Sequence, residues 1–180
     1  MSMSDEQRPS GDIESLAHVI TRAARFANDP RALVAGERAT LSRLDPDQPR
    51  PSQLAALTRA LVMSGLSPDD WGQGAWRRWA LVAQGIALAG HDGSRPFGAA
   101  LAAAAVSEGR VTRLLTARGD ALRQIVPRIV RLMASRGVSP DWREFAELIL
   151  TDGTDSAAAE RCRLRIASRY YSALARATQD

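Results

Sequence analysis

Apolar residues return along this chain at intervals of three and four, in one stretch after another, and no stretch shows the strict alternation or β-branched enrichment of a strand. That period matches the 3.6-residue turn of an α-helix, so the expected fold is all-α. Glycine, proline and aspartate punctuate the pattern into helices near Ile13 to Ala27, Pro30 to Leu44, Pro51 to Ser64, Trp71 to Ala89, Pro96 to Ala105, Glu108 to Ala117, Asp120 to Ser135, Pro140 to Leu150 and Asp155 to Thr178. The sum is a helical bundle of about nine helices. The polar, turn-rich run from Gly90 to Arg95 marks a seam between two packed lobes, residues 12–93 and 94–180, that together make one domain, while residues 1–11 are expected to be disordered.

Several boundaries carry a local mechanism. Asp29-Pro30 and Ser139-Pro140 each place a capping oxygen before a proline whose missing N–H costs nothing in a first helical turn. Asp141-Trp142 is expected to anchor the next helix, ring inward and carboxylate at the positive helix end. Pro127 sits within a strongly apolar helical pattern and predicts a kink or a break there.

Chemistry is mostly excluded. The longest apolar stretches, such as Leu101 to Val106, are too short to span a bilayer, and the first twelve residues carry acids and no apolar signal region, so a cytoplasmic protein is expected. One cysteine, Cys162, forms no disulfide framework, and two histidines, His18 and His91, supply no zinc ligand set. There is no paired-carboxylate motif, nucleophile elbow or Walker loop, and Gly72-Gln73-Gly74 lacks the rest of a dinucleotide fingerprint. The reading is a non-enzyme with no cofactor and no metal. His91-Asp92 reads as a solvated turn, His18 as a core or boundary histidine, and Trp71, Trp76 and Trp79 as core with Arg77 and Arg78 on the exposed side.

Charge is the informative residue. Net charge is only +4, yet every basic side chain is arginine. From Ser107 to Arg136, seven arginines face only Glu108 and Asp120, a net of +5; Arg161 to Arg176 holds five with no acid, again +5, leaving −6 elsewhere. On a helix, Arg161, Arg165, Arg169 and Arg176 fall within about 80°. Leu164, Ile166, Ala167, Tyr170, Tyr171 and Leu174 take a separate, wider apolar face, and Arg163 falls on that side, either snorkelling or in a buried pair or subunit contact. In the middle helix, Leu122, Ile125, Val126, Ile129, Leu132 and Met133 share one face, with Arg123, Arg128 and Arg131 off it. Helical geometry thus nominates Arg118, Arg123, Arg131, Arg161, Arg165 and Arg169 as phosphate contacts, because arginine forks match phosphate oxygens and binding releases counterions. The same stripes are what merely solvated faces show, so both alternatives stand.

The order of blocks resembles the CasB family, the small subunit of type I-E CRISPR Cascade, from about Gly36 to Tyr171. Gly36-Glu37-Arg38-Ala39-Thr40-Leu41-Ser42-Arg43 is similar to that family's Gly-x-Arg-Ala-x-Leu-Arg-Arg stretch. The helix from Trp79 to His91, then Phe97-Gly98-Ala99-Ala100-Leu101 and Ser107-Glu108-Gly109-Arg110-Val111-Thr112-Arg113-Leu114-Leu115 follow in the family's order. Asp141-Trp142 and the closing Ile166-Ala167-Ser168-Arg169-Tyr170-Tyr171 complete it. The sequence departs from the pattern at Ser42, Ala102 to Ala105, Val111 and Ile166.

The resemblance implies a helical subunit, usually in two copies, set against the CasC backbone and the large subunit. Its basic surface there helps hold the guide RNA–target DNA region and the displaced DNA strand, in antiviral defence. It carries over nucleic-acid contacts at the matching positions Arg38, Arg43, Arg110 and Arg113. The competing reading is an interaction scaffold that meets acidic subunits and never touches nucleic acid. A helical transcription regulator would need a tight helix-turn-helix, and no convincing turn of that kind is present.

Overall fold

The computed structural model describes residues 9–22, 33 and 35–178. Among the described residues the fold is all-α, with nine helices: α1 (Pro9–Arg22), α2 (Ala35–Ser42), α3 (Pro51–Met63), α4 (Gln73–Ala89), α5 (Phe97–Ala103), α6 (Glu108–Thr116), α7 (Gly119–Ser135), α8 (Trp142–Thr151) and α9 (Ser156–Ala177). From α3 onward the boundaries fall within two residues of those read from the periodicity. The Asp29-Pro30 start and the end of the first helix beyond Arg22 lie outside the described residues, as do residues 1–8.

Two local expectations are corrected and a third is narrowed. Pro9 to Gly11, expected to be disordered, form the opening turn of α1. Proline suits a first helical position, and Ile13, Leu16, Ala17 and Ile20 bury completely along one face, so packing on α8 and α4 supplies what local propensity does not. α7 continues through Pro127 without a break. The proline removes one donor to the carbonyl of Arg123, but Val126, Ile129, Val130 and Met133 on either side are buried, and their packing holds the helix together. Finally, α8 is capped by Asp141, whose carboxylate accepts from the Arg143 N–H; Ser139 instead donates its hydroxyl to the Ala89 carbonyl at 2.6 Å.

α4 is the hub. From Trp79 to Ala87 every residue is buried, so this part of the helix has no solvent face, and α4 packs against α1, α2, α7 and α8. Its one buried amide, Gln84, donates to the Leu44 carbonyl at 2.6 Å. Trp142 lies against Gly85, where an added Cβ would come within 2.1 Å of the ring, and its indole N–H donates to the Gly90 carbonyl at 2.7 Å. The core is one cluster with members on both sides of Gly90 to Arg95. That segment is itself clipped to the start of α8: the Asp92 N–H donates to the Pro140 carbonyl and the Asp141 N–H to the Arg95 carbonyl.

α5 and α9 approach most closely at Gly98, where a Cβ would meet the Ile166 carbonyl oxygen at 2.2 Å. Ile166 is fully buried, and Tyr170 one turn on buries its ring while its hydroxyl donates to the Val106 carbonyl at 2.7 Å. The last helix is thereby fixed in rotation, and with it the direction in which each α9 arginine points.

Candidate nucleic-acid interface

Short α6 is held by Val111 and Leu114, both fully buried. Arg110 and Arg113, one turn apart, therefore point outward on the side facing α7. Opposite them, α7 buries Ile129 and leaves Ile125 and Leu132 half-buried, with Arg128 exposed beside them. These six residues line a groove of about 420 Å³: an aliphatic floor rimmed by three guanidinium groups. Among the described residues no carboxylate lies within ion-pair distance of Arg110, Arg113 or Arg128. Arg113 bridges neither Glu108 nor Asp120; the latter pairs with Arg123. Arg131, a turn beyond Arg128, and Arg136 at the end of α7 are exposed and likewise unpaired among the described residues.

α9 is different. Its arginine stripe spans two environments, because one edge borders Cys162 and so faces α8 while the other faces solvent. Arg165 pairs with Glu144 at 3.1 Å and Glu147 at 2.9 Å, and Arg169 approaches Glu144 at 3.9 Å. The expectation of a stripe without compensating acids is thus corrected for these two: the acids come from α8, outside the window that was counted. Burial pushes the Glu144 carboxyl above its ordinary range, and the arginines only partly oppose this. Arg161 is exposed and has no carboxylate partner among the described residues.

Arg163 resolves as a buried pair. It is 5% exposed, with Asp152 at 2.6 Å, Glu160 at 3.1 Å and the Ala117 carbonyl at 3.1 Å. Asp152 also accepts from the Gly119 N–H at 2.7 Å. Arg118 joins this knot, meeting Glu160 at 2.6 Å and the Leu115 carbonyl at 2.9 Å. These bonds tie the α6–α7 corner onto α8 and α9.

Of the early pair, Arg38 donates to the Ala87 carbonyl near the end of α4 at 3.3 Å and pairs with no acid among the described residues, and Arg43 is exposed in the turn after α2. The structure therefore brings Arg110 and Arg113 together beside Arg128 and leaves Arg131 exposed about a turn farther along α7. Arg118, Arg123, Arg165 and Arg169 are committed to carboxylates. Arg128 was left out of the nominated set, although its position off the apolar face of α7 was the available signal.

Two apolar assignments on α9 also change. Leu164 is 69% exposed and Tyr171 46% exposed. They fall about 100° or more around the helix from Tyr170, beyond the width that α5 and α8 cover.

His18, exposed rather than core, lies edge-on to His91 with ring centres 6.1 Å apart. His91 receives the Trp142 N–H at 3.4 Å, and burial lowers its pKa. Asp92 holds its own turn by accepting from the Ser94 N–H and hydroxyl. No cluster of histidine, cysteine and carboxylate suited to a metal exists among the described residues. Burial pushes the Cys162 thiol up to about 12, which keeps it protonated and unreactive. Trp79 is core and stacks on half-buried Trp71; Arg77 and Arg78 beside them are half-buried rather than exposed. No described helix is long and apolar enough to cross a membrane.

No curated protein and no solved structure matches the chain. The family model described as CRISPR-associated protein Cse2 matches residues 37–171, a span that takes in Arg38 at its start, the α6–α7 groove and the closing Tyr170-Tyr171. The chain belongs to that family, the CasB small subunits of the type I-E Cascade complex in CRISPR defence.

Proposed function

We propose that this chain is a non-catalytic Cascade subunit that grips nucleic-acid backbone, supporting the guide RNA–target DNA region and the displaced strand. The observation that carries the reading is the set of guanidinium groups of Arg110, Arg113 and Arg128 around one groove, unpaired among the described residues, with Arg131 and Arg136 also exposed farther along α7 and just past its end. Like charges gathered without carboxylates repel one another, and a polyanion relieves that repulsion while releasing its own counterions. Arginine forks favour phosphate contacts, which position a strand, whereas base pairing to the guide supplies sequence choice. Arg38, Arg43 and Arg161 are secondary contacts in this proposal; the CasC backbone, the large subunit and a second copy are its protein partners.

The test is binding of the isolated chain to single- and double-stranded DNA and to RNA across a salt series. Weak, sequence-tolerant binding that falls steeply with salt is expected, and Arg110→Glu with Arg113→Glu should weaken it in a protein that still folds. Unchanged binding in that variant overturns the assigned patch.

A second reading, an interaction scaffold without direct nucleic-acid contact, is favoured by one observation: exposed Leu164 and Tyr171 on the outer face of α9. It predicts assembly with other Cascade subunits and no salt-sensitive DNA binding. Co-expression with genomic neighbours, followed by a check for bound guide RNA, tests the shared premise of both.

A further inference from the structure

We propose that the α6–α7 groove seats one unstacked nucleotide of a single strand, its base on the aliphatic floor and its phosphates on the arginine rim. This deepens the backbone-gripping reading and rests on it. A purely electrostatic track needs only exposed cations, and Arg131 and Arg136 already provide that farther along α7. The groove adds something else. Ile125, Ile129 and Leu132 surface at the bottom of a cavity of about 420 Å³, between Arg110 and Arg113 on one wall and Arg128 on the other.

That size lies in the range of small-ligand sites, roughly 300 to 1,000 Å³, and is far too small to admit a duplex. In a duplex the base faces are stacked on one another, so only a phosphate reaches such a rim. An unpaired base presents its face, and burying that face on aliphatic side chains removes apolar surface from water on both partners. The planar guanidinium groups can lie along the base edges while their forks take the flanking phosphates. The lining contains no Asn, Gln, Asp, Glu, Ser or Thr, so the only side-chain groups there that can read a base edge are the arginine donors. The seat is therefore strand-state-selective, and its aliphatic floor takes any base face. An acidic peptide with an aliphatic side chain is the competing occupant, because arginine forks pair with carboxylates as well as with phosphates, and it is one of the outcomes of the test.

The experiment is fluorescence anisotropy on the full chain at fixed salt with three probes: oligothymidine, an abasic deoxyribose-phosphate strand of equal length, and a hairpin duplex. Oligothymidine is expected to bind about tenfold tighter than the abasic strand. Ile125→Gln, and independently Leu132→Gln, should bring oligothymidine down to the abasic level, with circular dichroism melting as the check on folding. Should either variant unfold, the thymidine-to-abasic ratio of the unaltered chain still decides. Equal affinity for the two strands, both lost in the Arg110→Glu, Arg113→Glu chain, overturns the nucleotide seat while leaving backbone gripping intact. No binding to any strand, with an acidic aliphatic peptide bound instead, overturns both.

Discussion

The α6–α7 groove and the α9 stripe contain the same residue type at similar helical spacing, yet the groove leaves all three of its guanidinium groups available while the stripe gives up Arg165 and Arg169 to carboxylates and keeps Arg161 exposed. Arg110, Arg113 and Arg128 surround aliphatic side chains with no acid in reach among the described residues, whereas Arg165 and Arg169 meet Glu144 and Glu147 across the α8–α9 contact. Arg163, deeper still, is consumed by Asp152 and Glu160. The difference teaches that an arginine stripe is a statement about one helix, while available charge is a statement about its neighbours. It also assigns the two regions different work. The α9 side is structural cement, and the cement reaches the α6–α7 corner through Ala117, Arg118 and Gly119.

The sharpest way to break that contrast is to cut the cement. Asp152→Ala leaves a buried guanidinium with one carboxylate fewer and takes away the acceptor of the Gly119 N–H, so urea denaturation should register a loss of about 3 kcal/mol. A stability change below about 1 kcal/mol would mean that Arg163 is solvated and that α9 is not structural in the sense argued. Next in size is Gly98→Ala, which drives a methyl group into the Ile166 carbonyl; thermal melting should show a loss of about 2 kcal/mol as α5 and α9 separate. Little change there would show the contact to be looser than the backbone geometry requires.

Binding variants then sharpen the contrast itself. Reversing Arg110 and Arg113 together should weaken single-stranded DNA binding by about tenfold or more and flatten the log–log salt slope by about 2, with the melting temperature nearly unchanged. Arg165→Ala, by contrast, should alter that affinity by less than about twofold, since its charge is already engaged by two carboxylates. Equal losses from the two regions, measured side by side in the same titration, would erase the distinction drawn between them.

Much of this architecture was readable from the residues. Apolar spacing and turn residues located every helix from α3 onward, and Asp141-Trp142 was legible as an anchored helix start because capping and ring burial are both local consequences of that dipeptide. What failed, failed for non-local reasons. Pro127 predicts a kink or a break when only its own helix is considered, and α7 continues unbroken because its flanking residues are buried against other helices. Leu164 and Tyr171 look like core by periodicity but lie past the edge of what α5 and α8 cover. Arg128 was visible as a charge off the apolar face; that it completes a rim with Arg110 and Arg113 depended on how α6 folds back beside α7.

The amino-acid sequence by itself determined the helices, their approximate ends, the all-arginine basic content and the order of blocks that marks the family. These depend on backbone hydrogen bonding and side-chain period, which act within a few residues. Only the tertiary structure decided which arginines remain without a carboxylate. Ion pairing falls off over a few ångströms in space, and residues that are neighbours in space, such as Glu144 and Arg165, stand far apart along the chain.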